Sequence, residues 1–160
     1  MNIRHATLRD AEAIAAVEAE CFPAAEAATY ESIKGRLAAF ADHFWLLEDG
    51  DTLVGFVNGM ATDLPDLCDE MYENADMHDP KGAWQMIFGV DTVPSRRKQG
   101  CAGMVLERVI EDTRKAGRKG LVLTCKEHLV HYYAKFGFVS EGVSESTHGG
   151  VRWYQMRLTL

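Results

Sequence analysis

Between Phe88 and Glu107 the sequence F-G-V-D-T-V-P-S-R-R-K-Q-G-C-A-G-M-V-L-E changes character twice. It opens as an apolar, β-branched run, passes Pro94 into a basic, glycine-bearing turn, and continues with Val105, Leu106, Val109 and Ile110 at helical spacing. Strand, turn and helix are predicted in that order. The small residues Gly100, Ala102 and Gly103 allow another molecule to approach the backbone. The first N–H groups of a helix lack internal partners, and the helix dipole adds positive potential there, so such an end suits phosphate. Neither common nucleotide fingerprint is present: there is no G-x-x-x-x-G-K-[ST], and Gly100-Cys101-Ala102-Gly103 does not give G-x-G-x-x-G. An ordinary glycine-containing β–α turn is the plainer reading of the same residues.

Other residues with chemical potential are unevenly spread. Residues 61–80 hold Asp63, Asp66, Asp69, Glu70, Glu73, Asp76 and Asp79 without a Lys or Arg, as if suited to a cation. Residues 95–119 hold Arg96, Arg97, Lys98, Arg108, Arg114, Lys115, Arg118 and Lys119, as if suited to phosphates. The net charge of −7 argues against nucleic acid as a partner. Cys21, Cys68, Cys101 and Cys125 are far apart with no C-x-x-C, so no metal site or redox pair is expected. The 47 % hydrophobic and 26 % charged content is that of an ordinary globular chain. No run approaches the roughly 18 apolar residues of a membrane span. The polar start Met1-Asn2-Ile3-Arg4-His5 does not read as a secretory signal, so a cytoplasmic location and no membrane partner are expected.

The elements that must position these residues read in order as follows. Residues 3–6 form a strand, and Asp10 is expected to cap an alanine-rich helix over 11–21 that buries Ile14, Val17 and Cys21 and ends before Pro23. Thr29 caps a second helix over about 30–40. Residues 44–48 and 52–60 make a hairpin about the turn 48–51, with Gly55 and Gly59 marking a bulge or close packing. Residues 61–82 have no clear period beyond a short helix within 66–73; a connection that long suggests a lid or binding loop. Residues 84–92 read as one central strand, and the helix after the basic turn runs to about Lys115, with Gly117 as its stop. A buried parallel strand over 121–125, a short helix over 127–136, and strands over 138–143 and 151–158 complete the chain. At 160 residues, this is one α/β domain in the order β-α-α-β-β-β-α-β-α-β-β, a mixed sheet flanked by helices.

Arg97-Lys98-Gln99-Gly100-Cys101-Ala102, preceded by Val90-Asp91-Thr92-Val93-Pro94, resembles the acetyl-CoA signature [QR]-x-x-G-x-[GA] of the GNAT N-acetyltransferase superfamily. The element order is also that family's, so the resemblance covers essentially the whole chain. Cys125 to Phe138, C-K-E-H-L-V-H-Y-Y-A-K-F-G-F, looks like the C-x-x-x-L-V-x-x-Y-x-[KR]-F-G-F run of the arylalkylamine (serotonin) N-acetyltransferases, and Glu18-Ala19-Glu20-Cys21-Phe22-Pro23 points to the same branch. The resemblance implies acetyl-CoA as cosubstrate and no metal. Val90, Thr92 and nearby backbone would hold the pantetheine arm, with a backbone N–H at Val90 or Thr92, freed by a bulge, meeting the oxyanion. Arg97, Lys98, Gln99, Gly100, Cys101, Ala102 and Gly103 would surround the pyrophosphate. Tyr133 takes the position of the tyrosine that protonates the leaving thiolate. The branch's H-x-H pair falls on Met86 and Phe88, which cannot accept a proton. That leaves His78, Asp79, Glu70, His128 or a water chain as bases and puts the arylalkylamine in doubt.

Phe22, Pro23, Tyr30 and Phe40 supply apolar surface, and Glu26 with the acidic stretch supplies negative charge, which together suit a primary amine with an aromatic or alkyl tail. Pinning the first two helices to the sheet is the structural alternative for these aromatics. The expected reaction is direct acetyl transfer to a small amine in a ternary complex. A protein amine, polyamine or aminoglycoside as acceptor, or a non-catalytic acetyl-CoA sensor, are the alternatives. Edge strands leave a homodimer open.

Overall fold

The computed structural model describes all 160 residues. In chain order the elements begin with β1 (Asn2–His5), α1 (Ala11–Cys21), α2 (Tyr30–Phe40), β2 (Phe44–Asp49) and β3 (Thr52–Asn58). Next come β4 (Ala61–Thr62), α3 (Glu70–Glu73), β5 (Trp84–Ile87), β6 (Gly89–Thr92) and α4 (Cys101–Lys115). The last are β7 (Gly120–Cys125), α5 (Val130–Ala134), β8 (Val139–Val143) and β9 (Tyr154–Thr159). This is the expected mixed α/β layout, with two differences. The acidic connection contains the short strand β4 beside the expected short helix, here α3, and the central strand breaks at Phe88 into β5 and β6.

The chain visits two compact units alternately: Met1–Gly59 with Gly89–Val109, and Met60–Phe88 with Ile110–Leu160. The first unit holds an antiparallel sheet in the order β1-β2-β3-β6, so β6 is an edge strand. The register shift that the hairpin glycines suggested lies between Leu47 and Glu48 of β2. Its core is aromatic, with Phe40 stacked on Phe44 at 6.0 Å and Phe44 on Phe56 at 6.3 Å between ring centroids. Phe40 is therefore core rather than pocket wall, at 1 % exposure.

Local chemistry sets the helix ends. The Thr29 side chain accepts from Ser32 N at 3.1 Å and caps α2. Phe22 is extended before Pro23, where α1 stops as expected. Asp10, however, does not cap α1. It turns back to accept from Thr7 N at 2.8 Å and forms an ion pair with Arg4 at 2.7 Å, closing the 3-10 turn Leu8–Asp10 instead.

The second unit holds the order β4-β5-β7-β9-β8, with β5 and β7 parallel and the other pairs antiparallel. The acidic stretch belongs to its framework. Asp66 accepts from Gln155 and Arg157, Asp69 from Ser146 and Thr147, Asp63 from Ala83 N and Asp79 from Lys81 N. The guanidinium of Arg157 also lies 4.6 Å over the Trp84 ring. Four of the carboxylates that suggested a cation site from the sequence thus serve as hydrogen-bond acceptors for the chain itself, and no group of three or more potential metal ligands forms. No helix is long and apolar enough to cross a membrane.

Candidate active site

The cofactor-type residues fall together in the first unit, on β6, the turn after it and the start of α4. Val93 N donates to Val54 O at 2.8 Å, and the β3–β6 register pairs Asp91 with Phe56 and Val90 with Val57. Alternation along an antiparallel pair then makes Asp91 a hydrogen-bonded position and leaves the Val90 and Thr92 N–H groups pointing away from β3. No bulge is needed to free them; being on an edge strand suffices. The Thr92 carbonyl faces the same way and accepts from the Cys21 thiol at 3.2 Å.

After β6 the chain makes the 3-10 turn Pro94–Arg96 and reaches two residues in the left-handed region, Lys98 at φ 63° and Gly100 at φ 80°. Glycine accepts that conformation without strain, and nothing lies within 4 Å of where a Gly100 Cβ would be. Met104 N donates to Gly100 O at 3.0 Å, so Gly100 caps α4, and the N–H groups of Cys101, Ala102 and Gly103 have no carbonyl to reach within the helix. A left-handed residue leading into a helix aims successive N–H groups at one point, the geometry of an anion cradle. The helix behind it is anchored by buried Cys101, Val105, Leu106 and Val109. Lys98 and Gln99 are exposed, with Gln99 Nε2 on Ser95 O at 3.4 Å. Arg97 is exposed and reaches the Cys21 thiol. Arg96 is taken by Asp49, 2.8 Å away, which holds that carboxyl below its ordinary range.

The acceptor-type residues Phe22, Pro23, Glu26 and Tyr30 lie on the α1–α2 connection and the first turn of α2. This loop is folded tightly: Glu26 N and Ala27 N both donate to Pro23 O at 2.9 Å, and Ala28 N donates to Glu18 Oε2 at 2.8 Å. Tyr30 is exposed, with the Lys34 ammonium 5.9 Å from its ring centroid.

Tyr133 lies in the second unit, in α5 after the β7 strand end and the 3-10 turn Glu127–Leu129. It is 8 % exposed and meets Phe138 edge-on at 6.2 Å. Tyr132 is the more open of the two tyrosines, and partial burial pushes its hydroxyl above the ordinary tyrosine range. Gly137 at φ 100° ends the segment. Of the base candidates in this unit, His78 accepts Ala61 N on Nδ1 at 3.1 Å, so that nitrogen is committed to the framework. Buried Gln85 donates to Met60 O and Met86 O, and Met86 is fully buried.

Sequence reasoning passed over one group in the first unit. Glu18, Arg36 and Asp91 are buried at 7 %, 5 % and 2 % exposure, and Arg36 Nη1 donates to the buried Asn58 Oδ1 at 3.1 Å. The signal was there: Glu18 follows Ile14 and Val17 in the apolar register of α1, and Arg36 sits between Ile33 and Leu37 in that of α2.

The family model described as "Acetyltransferase (GNAT) family" matches residues 11–138. The chain belongs to the GNAT acetyltransferase family. Solved structures share its fold along nearly their whole length. A GNAT-like decarboxylase, GphF, in complex with isobutyryl-CoA superposes with a TM-score of 0.85 at 21 % identity, covering 99 % of each chain. The ribosomal-protein-S18-alanine N-acetyltransferase from Escherichia coli gives 0.74 at 15 % identity, over 99 % of this chain and 92 % of the other. A GNAT acetyltransferase from Brucella melitensis in complex with acetyl-CoA gives 0.65 at 18 %, over 99 % and 87 %. No curated protein matches the chain in sequence. As a GNAT protein it is an acyltransferase by family, with an acetyl-CoA-binding fold.

Proposed function

We propose that this GNAT protein transfers the acetyl group of acetyl-CoA to a small primary amine by direct attack in a ternary complex. An arylalkylamine-like amine is the favoured acceptor. The observation that carries this reading is the β6–turn–α4 segment. Three unpaired N–H groups at Cys101, Ala102 and Gly103 suit the pyrophosphate, and the outward N–H groups of Val90 and Thr92 suit an extended arm and an oxyanion. Arg97, Lys98 and Gln99 surround the same turn. Phe22, Pro23, Glu26 and Tyr30 are assigned to the acceptor amine, its charge met by Glu26 and its tail by the rings.

Tyr133 is assigned the proton for the leaving thiolate: a phenol near pKa 10 can donate to the conjugate base of a thiol near 8.5 when the two are in hydrogen-bond reach. The thiols support direct transfer rather than an acetyl-cysteine intermediate. Burial pushes Cys125 up to about 11, and burial outweighs the neighbouring Arg97 in raising Cys21, so neither is a thiolate at neutral pH. The chain crosses between its two units three times and the family model spans both, which supports reading residues 1–160 as one domain. A small molecule rather than nucleic acid or membrane is the proposed partner, in the cytoplasm, and a homodimer fits the open sheet edges equally well.

A second reading is favoured by the likeness to the GphF decarboxylase: the protein handles a larger acyl-CoA, or decarboxylates one. The two are separated by incubating the protein with acetyl-, isobutyryl- and malonyl-CoA and a panel of arylalkylamines, polyamines, an aminoglycoside and a peptide amine, followed by mass spectrometry. N-acetylated arylalkylamine is expected. A different acetylated amine overturns the acceptor class, and malonyl-CoA converted to acetyl-CoA without amide overturns the transfer reading.

A further inference from the structure

We propose, resting on the amine-acetylation reading, that Glu18 and Asp91 share one proton over Gly89 and accept the proton that the amine must lose. Both carboxyl groups and Gly89 lie in the first unit. Asp91 is 2 % exposed, and no N–H or O–H donor reaches either of its carboxylate oxygens. Its neighbour is Glu18, whose Oε2 is held by Ala28 N at 2.8 Å. Two adjacent buried carboxylates without donors between them do not both ionise, so one keeps a proton and donates it to the other. Burial first, and then the charge of Glu18, raises Asp91 well above the ordinary carboxylate range, which puts the retained proton on Asp91. The other groups facing the pair are the Cys21 thiol on α1, which adds to the rise, and the Arg36 guanidinium on α2, which opposes it. Asn58 on β3 is neutral.

Gly89 lets the pair close on the backbone of β6. A Cβ at this position would stand 3.0 Å from Asp91 Oδ1, 3.5 Å from Asn58 Nδ2 and 3.8 Å from Glu18 Oε1. The absent side chain therefore allows both carboxyl groups and the Asn58 amide to converge on Gly89, which is itself partly exposed. Glu18 is also tied through Ala28 to the loop assigned to the acceptor. The base absent from Met86 and Phe88 is thus supplied from α1 and β6.

The protons balance. An ammonium R–NH3⁺ gives one proton to the Glu18 carboxylate, directly or through a water, and its nitrogen lone pair attacks the thioester carbon. As the C–S bond breaks, the thiolate takes the Tyr133 proton. The second N–H proton, lost as the amide forms, restores Tyr133 by way of solvent. The pair then releases its proton, one per turnover.

The test is the pH dependence of kcat and kcat/KM for the acetylated amine in wild type, Glu18→Gln, Glu18→Asp and Gly89→Ala, with melting curves and acetyl-CoA binding for each. In wild type the rate rises with pH as the doubly protonated pair loses one of its two protons. Glu18→Gln is expected to lower kcat about 100-fold and abolish that rise, with acetyl-CoA binding unchanged. Glu18→Asp should restore part of the rate. Gly89→Ala presses a methyl against Asp91 Oδ1, disturbing the pair while keeping both carboxyl groups, and should lower kcat about 10-fold; it carries the test if Glu18→Gln fails to fold. Folded Glu18→Gln and Gly89→Ala with wild-type rates and pH profiles would overturn the role of the pair while leaving amine acetylation standing. Wild-type protein that binds acetyl-CoA and acetylates no amine would overturn both.

Discussion

At Tyr133 the proposed reaction depends on one hydroxyl. Tyr133→Phe keeps the ring against Phe138 and removes only the proton donor, so kcat should fall about 100-fold with acetyl-CoA binding intact, as steady-state rates and calorimetry will show. Asp91 leads to a prediction about stability. Burial, and then the charge of Glu18, holds its carboxyl well above the ordinary carboxylate range in the folded protein, whereas it ionises at an ordinary value when unfolded. The unfolded chain thus binds fewer protons, and stability is lost as pH rises through the ordinary value toward the raised one. Asp91→Asn removes that loss, so its melting temperature should exceed the wild-type value at pH 8 and match it near pH 4. A pH-independent difference would contradict the buried, protonated carboxyl. The residues that make the phosphate turn were legible because small and basic types are rare together there. Glu18, Arg36 and Asp91 were as legible in principle, being charged residues at apolar register positions. They were missed because the helices were read for their apolar members alone.

The β6–turn–α4 segment was predicted from residue types, and the structure adds the reason the turn requires Gly100: its φ of 80°. Gly100→Val would have to leave that conformation or strain it by about 1–2 kcal/mol, so acetyl-CoA binding should weaken roughly 10-fold by calorimetry while α4 stays folded. Unchanged affinity would mean the turn does not hold the ligand. The acidic connection shows what local sequence cannot supply. Asp66 and Asp69 find their partners at Gln155, Arg157, Ser146 and Thr147, more than seventy residues away, so a run read as a cation loop is a set of staples. Arg157→Ala removes the ion pairs to Asp66 and Glu141 and the contact with Trp84. These groups are partly exposed, so the loss is about 1 kcal/mol and the melting temperature should drop about 2–4 °C, with faster hydrogen exchange at Leu67 and its neighbours. The break at Phe88 was not legible either, because the apolar run from Trp84 to Thr92 is continuous in composition and only the partners differ: β7 and β4 for its first half, β3 for its second.

Taken as a whole, the chain declares its fold class through the order of its elements and its family through one turn and the 11–138 match. The proposed acceptor is less legible because the side chains assigned to it come from α1, α2 and β6, not from any contiguous motif. The central claim is that acetyl moves from acetyl-CoA to an amine without stopping on the protein. A single-turnover experiment with acetyl-labelled acetyl-CoA, enzyme in excess and one arylalkylamine tests it, with the label followed on protein and product. The account predicts label passing into the amide with none on the protein at any time. Label that accumulates on a cysteine, or that stays in acetyl-CoA while the coenzyme is bound, would contradict it.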